Sequence, residues 1–389
     1  MRRTFLIPAL MVAVSLLGLL LPRSDRTLHP SSDGADSAIP KASTDLMRSA
    51  MDSRSQPPPT RDHWRKSRPV NGADAADSNP TPSSEIRLPW VAALLGTNGP
   101  PPVSRETVDR WLSSGRTNAS DLLALRQAGA GSEFLELALR QFPDDPRVLL
   151  AATSLNDSPE VVRERMDRFR AADPANALAD YLSAWNELAS GNREKALEHL
   201  TAANTKPGFQ DYVGESARTA EELYRSEGRS EAEARALGSS TALLPHLAHL
   251  KRLSNDLADL QKELVAAGDP SGAAHVAHLG LGLSEQLTQG PGSLTLVGEL
   301  VGIAVGANLV RNLPQDTAYE FLGGDAATYS ANLKQRRADI RTVSGSFDAW
   351  IRQASEADVI GYFDVLAQYG ERVALEWVRD QSQSEPKVP

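Results

Sequence analysis

Residues 177–207 read ALADYLSAWNELASGNREKALEHLTAANTKP, and the reading of this stretch decides the fold. On both sides of Gly191–Asn192 the apolar residues recur three and four places apart, as in a helix that hides one face. The Gly-Asn pair interrupts both runs, so it marks a turn. Two helices joined by so short a connection lie antiparallel. Ala184 on the first helix, with Ala196 and Ala203 on the second, lets the axes approach, and Leu200 fills the groove between them. The stretch is an α-helical hairpin.

Outward from it the same punctuation continues. Pro143, Pro174 and Pro207 stand 31 and 33 residues apart, each just after an amphipathic segment. A period in the low thirties points to stacked helical hairpins. A second unit has Leu257, Leu260 and Leu264 before Gly268–Asp269, then Ala273, Ala277 and Gly280 after it. Ser158–Pro159 and Asp269–Pro270 each read as an N-cap followed by proline at the first helical position, and Ser104, Ser132 and Ser293 are further candidate caps. No stretch between 86 and 380 alternates as a strand does, and aromatic residues are only 5% of the chain. The expected fold class is all-α, with about fourteen to seventeen helices.

The order of small residue, glycine turn and small–large–small second helix, over about 140–290, resembles the tetratricopeptide repeat. Asp180 and Glu187 stand where that family prefers large apolar side chains. The resemblance implies stacked antiparallel hairpins forming a tetratricopeptide-repeat-like α-solenoid, with a curved surface that binds a protein or peptide. It also implies groove-facing places for Tyr181 and Trp185. Tyr212 is a third aromatic candidate for partner binding. Packing against a neighbouring helix is the alternative reading for all three.

Ahead of the hairpins lies different material. Met1, Arg2 and Arg3 precede an apolar run over 5–21, the pattern of an export signal, so residues 1–22 read as a signal anchor or signal peptide. The run ends Leu19-Leu20-Leu21-Pro22-Arg23, which offers no small-x-small cleavage site and favours retention as an anchor. Residues 23–85 are rich in Ser, Asp and Pro and too poor in apolar residues to offset the entropy of ordering, so they read as a disordered linker. Fourteen of the 25 prolines precede residue 103. The expected organisation is therefore a helical hairpin repeat region over 86–238, a C-terminal helical region over 239–380 and a disordered tail over 381–389. The expected location is the cell membrane, spanned once through residues 5–21 with the C-terminal part outside the cytoplasm. Cleavage of the signal would make it secreted or periplasmic.

Composition removes several kinds of chemistry. There is no cysteine, hence no disulfide framework, thiolate zinc site or cysteine nucleophile. With 41 Lys and Arg against 50 Asp and Glu, net −9 and without a basic cluster, the chain lacks the footprint of a nucleic-acid binder. No phosphate-binding glycine loop, G-x-S-x-G elbow or HExxH motif occurs, so no catalytic residue and no cofactor is expected.

Four of the seven histidines form pairs three apart, His246 with His249 and His275 with His278. That spacing puts both rings of a pair on one helix face, which makes them weak metal candidates. Within a hairpin turning near Gly268 the two pairs are offset by roughly 13 Å along the axes, too far to share an ion. His246 also falls in register with Leu243, Leu250, Leu253, Leu257, Leu260 and Leu264, the seam of a packed helix. Gly298, Gly302 and Gly306 strip one face of a helix to its backbone, a helix-packing signal. Glu299 and Asn308 interrupt that run as a membrane span. The charged runs 163–168 and 334–337 read as solvated helix faces.

The expected function is a scaffold in the cell envelope that presents a surface to an unidentified envelope protein or peptide. Two alternatives stand beside it: an envelope enzyme with a Glu/His site in the helical stack, and a small-ligand binder at the glycine-lined helix 294–311.

Overall fold

Proline, glycine and short polar side chains set the helix ends of this chain, which the computed structural model describes over residues 86–96, 100–155, 157–242, 244–290 and 295–384. The expected anchor (1–22) and linker (23–85) lie outside the described residues, as do Leu243 and Ser293. Among the described residues there are seventeen α-helices. The first ten are α1 (Pro89–Gly96), α2 (Arg105–Ser113), α3 (Ala119–Gln127), α4 (Glu133–Gln141), α5 (Pro146–Ala151), α6 (Pro159–Ala172), α7 (Leu178–Ala189), α8 (Arg193–Asn204), α9 (Val213–Ser226) and α10 (Glu231–Ser240). They are followed by α11 (Pro245–Ala266), α12 (Pro270–Gln289), α13 (Leu296–Val310), α14 (Ala326–Ser344), α15 (Phe347–Gln353), α16 (Glu356–Tyr369) and α17 (Glu371–Ser384). One antiparallel pair of two-residue strands, β1 (Ala318–Tyr319) with β2 (Gly324–Asp325), interrupts an otherwise all-α chain. It is too short to leave an alternating pattern in the sequence.

Of the expected caps, Asp269 and Ser104 bond their helix starts, and Ser158 and Ser132 stand at theirs without a side-chain cap bond. Asp269 accepts from Gly272 N at 2.8 Å, with Pro270 opening α12, and Ser104 accepts from Thr107 N at 3.2 Å to open α2. Pro159 follows Ser158 to open α6. Thr295 caps α13, its hydroxyl accepting from Gly298 N at 3.2 Å. Each such cap contributes about 1 kcal/mol. Gly191 and Gly268 end α7 and α11 at φ 80°, a left-handed conformation that residues with a Cβ reach only under strain.

The helices bury their apolar faces in two cores. The first joins α2, α3 and α4 to α9 and α10 through Leu122, Leu125, Leu135, Leu223, Tyr224 and Leu237. The second joins α5–α8 to α11–α13 through Phe169, Leu178, Leu200, Leu250, Leu253, Leu257, Leu283 and Val305. The leucine stripe of α11 is the spine of this second core, each fully buried leucine contributing roughly 1.5–3 kcal/mol. Because it runs from Leu149 to Ala326, the second core crosses the 238/239 boundary without a break. At the other end α17 reaches Ser384, so the first four residues of the expected tail are helical.

Hairpins do not stack in chain order. The α7/α8 pair packs on α11/α12, α7 against α11 and α8 against α12, whereas α9/α10 packs between α3 and α16. The reason is local. Residues 205–212, after α8, fold back along the start of α7, where Ala177 N donates to Gly208 O at 2.8 Å and Asn176 bonds Gln210 through both amide atoms. That strap turns the chain away before α9 begins. The C-terminal hairpin α16/α17 then meets α10 and α14, and α1 meets α15, where Arg87 N donates to Arg352 O at 2.8 Å.

Candidate functional site

Where the two cores meet, the strap leaves a cleft. Its polar walls come from α3 (Arg126, Gln127), α5 (Arg147), the start of α9 (Asp211, Tyr212, Ser216) and the start of α11 (Pro245, His246). Leu123 of the first core and Leu150 of the second supply apolar wall. The free space inside is small, about 30 Å³.

Tyr212 shapes the cleft by its backbone. Its φ of 56° is the only positive one at a non-glycine position among the described residues, at a cost of roughly 1–2 kcal/mol. Side-chain bonds hold it there: the hydroxyl donates to Asp173 Oδ2 at 2.5 Å and accepts from Asn176 Nδ2 at 3.3 Å. Burial, then the bond to Asp173, pushes this phenol above its ordinary value. The start of α11 has no side-chain cap, whereas Asp211 covers the first N–H of α9.

The cations differ in how they are matched. Arg147 is saturated, donating to Asp145 Oδ1 at 2.9 Å through Nε, to Asp145 Oδ2 at 2.5 Å through Nη2, and also to Glu215. Burial pushes the Asp145 carboxyl up, but Arg147 outweighs it and holds the group below the usual carboxylate range. Arg126 is different. Its guanidinium donates to Ser154 Oγ at 2.8 Å, and no carboxylate among the described residues offsets its burial. Burial accordingly pulls it below its ordinary value. His246 is 1% exposed, and neither ring nitrogen has a hydrogen-bond partner. Its nearest charge is Asp211, Oδ2 to Nε2 at 3.6 Å, while Asp211 Oδ1 accepts from Val213 N at 3.1 Å. The buried side-chain oxygen of Gln127 also lacks a partner.

The other sequence candidates scatter. His249 lies against Trp185 with ring centroids 3.9 Å apart and meets Thr153 O at 3.0 Å. His278 stacks on Phe321 at 5.0 Å, and His275 is exposed on α12. The two pairs do not converge, and no group of three or more His, Asp or Glu suited to a metal occurs among the described residues. Burial pulls both His249 and His278 below the ordinary histidine value.

Among the three aromatic candidates Tyr181 requires correction. It is fully buried, its hydroxyl donating to Asn204 Oδ1 at 2.8 Å, so no partner reaches it. It packs beside Phe209 instead, because α7 is covered by neighbours on both sides. Trp185 is half-buried on His249, and Tyr212 stands in the cleft.

The glycines of α13 are packing positions. A Cβ on Gly302 would lie 2.8 Å from Leu287 Cβ, and one on Gly306 would lie 2.8 Å from Ser284 Oγ. Ser284 Oγ donates to Gly302 O at 2.8 Å across this contact. Gly298 is likewise buried. Glu299, on the same helix, is held by Arg336 at 2.6 Å and Arg372 at 2.8 Å. No described helix is long and apolar enough to cross a membrane.

Two buried carboxylates on α7 explain its departures from the repeat pattern. Asp180 pairs with Lys206 at 2.5 Å and Arg170 at 3.5 Å, and Glu187 pairs with Arg163 at 2.6 Å. Burial, with Arg170 nearby, pulls the adjoining His199 down. The arginines of the run 163–168 therefore clamp α6 to its surroundings, Arg165 through Asp157 and Arg168 through Asp144, rather than forming a merely solvated face. Arg336 of the run 334–337 is likewise drawn inward by Glu299.

Comparison with protein-family models, curated proteins and solved structures finds no match for this chain.

Proposed function

We propose that the chain is a helical-hairpin scaffold of the cell envelope, exported and held at the membrane by residues 5–21, which binds a protein or peptide. The repeat-like hairpins, with their glycine turns at residues 191 and 268, support a contact role, as does the resemblance of α7/α8 to tetratricopeptide units. The observation that carries the reading is the cleft at the junction of the two cores, where the buried oxygen of Gln127 and both ring nitrogens of His246 lack partners among the described residues. Such atoms are costly unless something outside the fold completes them.

The test is site-specific photo-crosslinking of the full chain in its native membranes. A photoreactive residue replacing Gln127, at the cleft, should trap one recurrent partner in near-stoichiometric amount, and one replacing Lys262, exposed on α11, should not. Equal products at both sites, or none at either, refute the scaffold. Fractionation checks the location: the full chain should sediment with membranes or appear outside the cytoplasm, and recovery in the cytosol overturns that part.

An enzyme remains the second reading, favoured by one feature: the imidazole of His246 near Asp211 in a cleft that Ser216 also lines. Labelling of Ser216 by a serine-directed fluorophosphonate supports it, and an unlabelled Ser216 removes it.

A further inference from the structure

We propose that the cleft between α3, α9 and α11 is a carboxylate site, with Arg126 as its cation and His246 as its second donor. This rests on the scaffold reading only for the biological source of the carboxylate; the chemistry rests on the cleft itself.

Three observations converge. Arg126 is a half-buried guanidinium bonded to one neutral hydroxyl, with no carboxylate among the described residues to offset its burial. A guanidinium forks onto two oxygens in one plane, the geometry of a carboxylate. His246 is almost wholly buried on the same cleft with both ring nitrogens unpartnered. A ring carrying both protons turns Nε2–H to Asp211 and keeps Nδ1–H to donate to a ligand. Thirdly, the start of α11 reaches the cleft without a side-chain cap. Gln127 adds an amide that offers its N–H₂ when turned over.

The one acid on the cleft does not cancel this. Asp211 spends Oδ1 on Val213 N, and its Oδ2 lies 3.6 Å from His246 Nε2, leaving Nδ1 of that ring free. Arg147 is saturated by Asp145 and Glu215 and contributes no free charge. Shape chooses among anions. The planar fork of the Arg126 guanidinium matches the two coplanar oxygens of a carboxylate, and Leu123 and Leu150 supply apolar wall beside it.

The test uses the full chain in detergent at constant ionic strength, titrated with sodium acetate in place of chloride, then with inorganic phosphate. Thermal unfolding and the side-chain ¹⁵N signals of arginine and histidine are followed. Acetate should bind saturably in the millimolar range, shift the signals of Arg126 and His246 and raise the unfolding temperature. Arg126→Gln should weaken binding at least about tenfold with the helical signal unchanged, since only the bond to Ser154 is lost. Should His246→Gln fail to fold, Arg126→Gln and the wild-type signals still decide.

A short peptide with a free C-terminus, the same peptide amidated, and an amidated peptide carrying one glutamate separate the sources. Binding that needs the free terminus assigns a peptide C-terminus, binding of the glutamate peptide assigns an acidic side chain, and binding of acetate alone assigns a free small acid. No saturable binding of any carboxylate, phosphate binding more tightly than acetate, or undiminished binding by Arg126→Gln overturns the proposal. None of these results bears on whether crosslinking at Gln127 traps a partner, so the two readings fail separately.

Discussion

Glu371 makes the stability of this protein fall as pH rises from 4.5 to about 7. Its carboxylate is buried at the start of α17, where Oε2 accepts from Leu296 N at 2.7 Å and so holds the first turn of α13. Burial pushes its pKa up to about 7 from an ordinary 4.5, the Leu296 bond lowering it and Glu299 raising it further. The folded state therefore holds the proton more tightly than the unfolded chain does. Below pH 4.5 both states are protonated and the contribution is fully present; it is lost as pH rises to about 7 and is gone above that. A shift from 4.5 to about 7 at roughly 1.36 kcal/mol per unit is a loss of about 3 kcal/mol. Glu371→Gln keeps an acceptor for Leu296 N and removes the titration. Urea unfolding of both proteins, followed by tryptophan fluorescence, is to be measured at pH 4.5 and pH 8.5. Other shifted groups, among them Glu285, His199 and His249, titrate in both proteins and cancel in the difference. Between the two pH values the wild type should lose about 3 kcal/mol relative to the variant. A difference that does not change with pH, or that moves the other way, refutes the reasoning.

Gly302→Ala should destabilise by about 1–3 kcal/mol, although alanine is the better helix former, because the new Cβ meets Leu287 Cβ at 2.8 Å; thermal unfolding reads it. Lys206→Met should cost about 3–5 kcal/mol by leaving Asp180 buried beside the more distant Arg170, and Asp180→Leu in the same chain should restore much of it. Asn118→Ala should cost about 1 kcal/mol, since Asn118 and Asp121 form a reciprocal cap at the start of α3. Urea unfolding of the variant beside the wild type checks it.

The sequence carries local information well and long-range information poorly, and particular residues show why. Asp269–Pro270, Gly268 and the leucine register of α11 each act within a few residues, so the hairpin α11/α12 is legible directly. The glycine face of α13 is legible for the same reason. What the sequence hides is the neighbour of each hairpin. Nothing in 213–240 announces that α9/α10 packs on α3 and α16, because that choice is made by Asn176 and Gln210 fastening the strap before α9. Buried charges are hidden too. Asp180, Glu187, Glu299 and the arginines facing them look like solvent residues until the helices that pair them are placed. The cleft draws on four separated segments; of its polar residues, His246 and Tyr212 carried a local signal, the one in a leucine register and the other as an isolated aromatic. Arg126 had one too, a lone cation in the apolar run Leu122-Leu123-Ala124-Leu125, but that no carboxylate among the described residues offsets its burial is visible only in three dimensions.

The place of the cleft follows from the same strap that breaks the hairpin order. Stacking α9/α10 directly on α7/α8 would bring two apolar faces together and leave no polar seam between cores. Turning the chain at Tyr212 instead sets the starts of α9 and α11 against α3 and α5, so helix ends rather than helix faces meet there. Helix ends carry unpaired backbone donors, which another helix face cannot satisfy. Asp211 supplies one acceptor from within the fold, to the first N–H of α9. The left-handed turn at Tyr212 therefore lies where the polar cleft replaces a continuous apolar contact. Tyr212→Gly separates the two contributions, since glycine relieves the left-handed backbone but removes the hydroxyl that binds Asp173 and Asn176. Loss of acetate binding with preserved helical content would place the determinant in the anchored strap; retained binding would place it in the backbone turn alone.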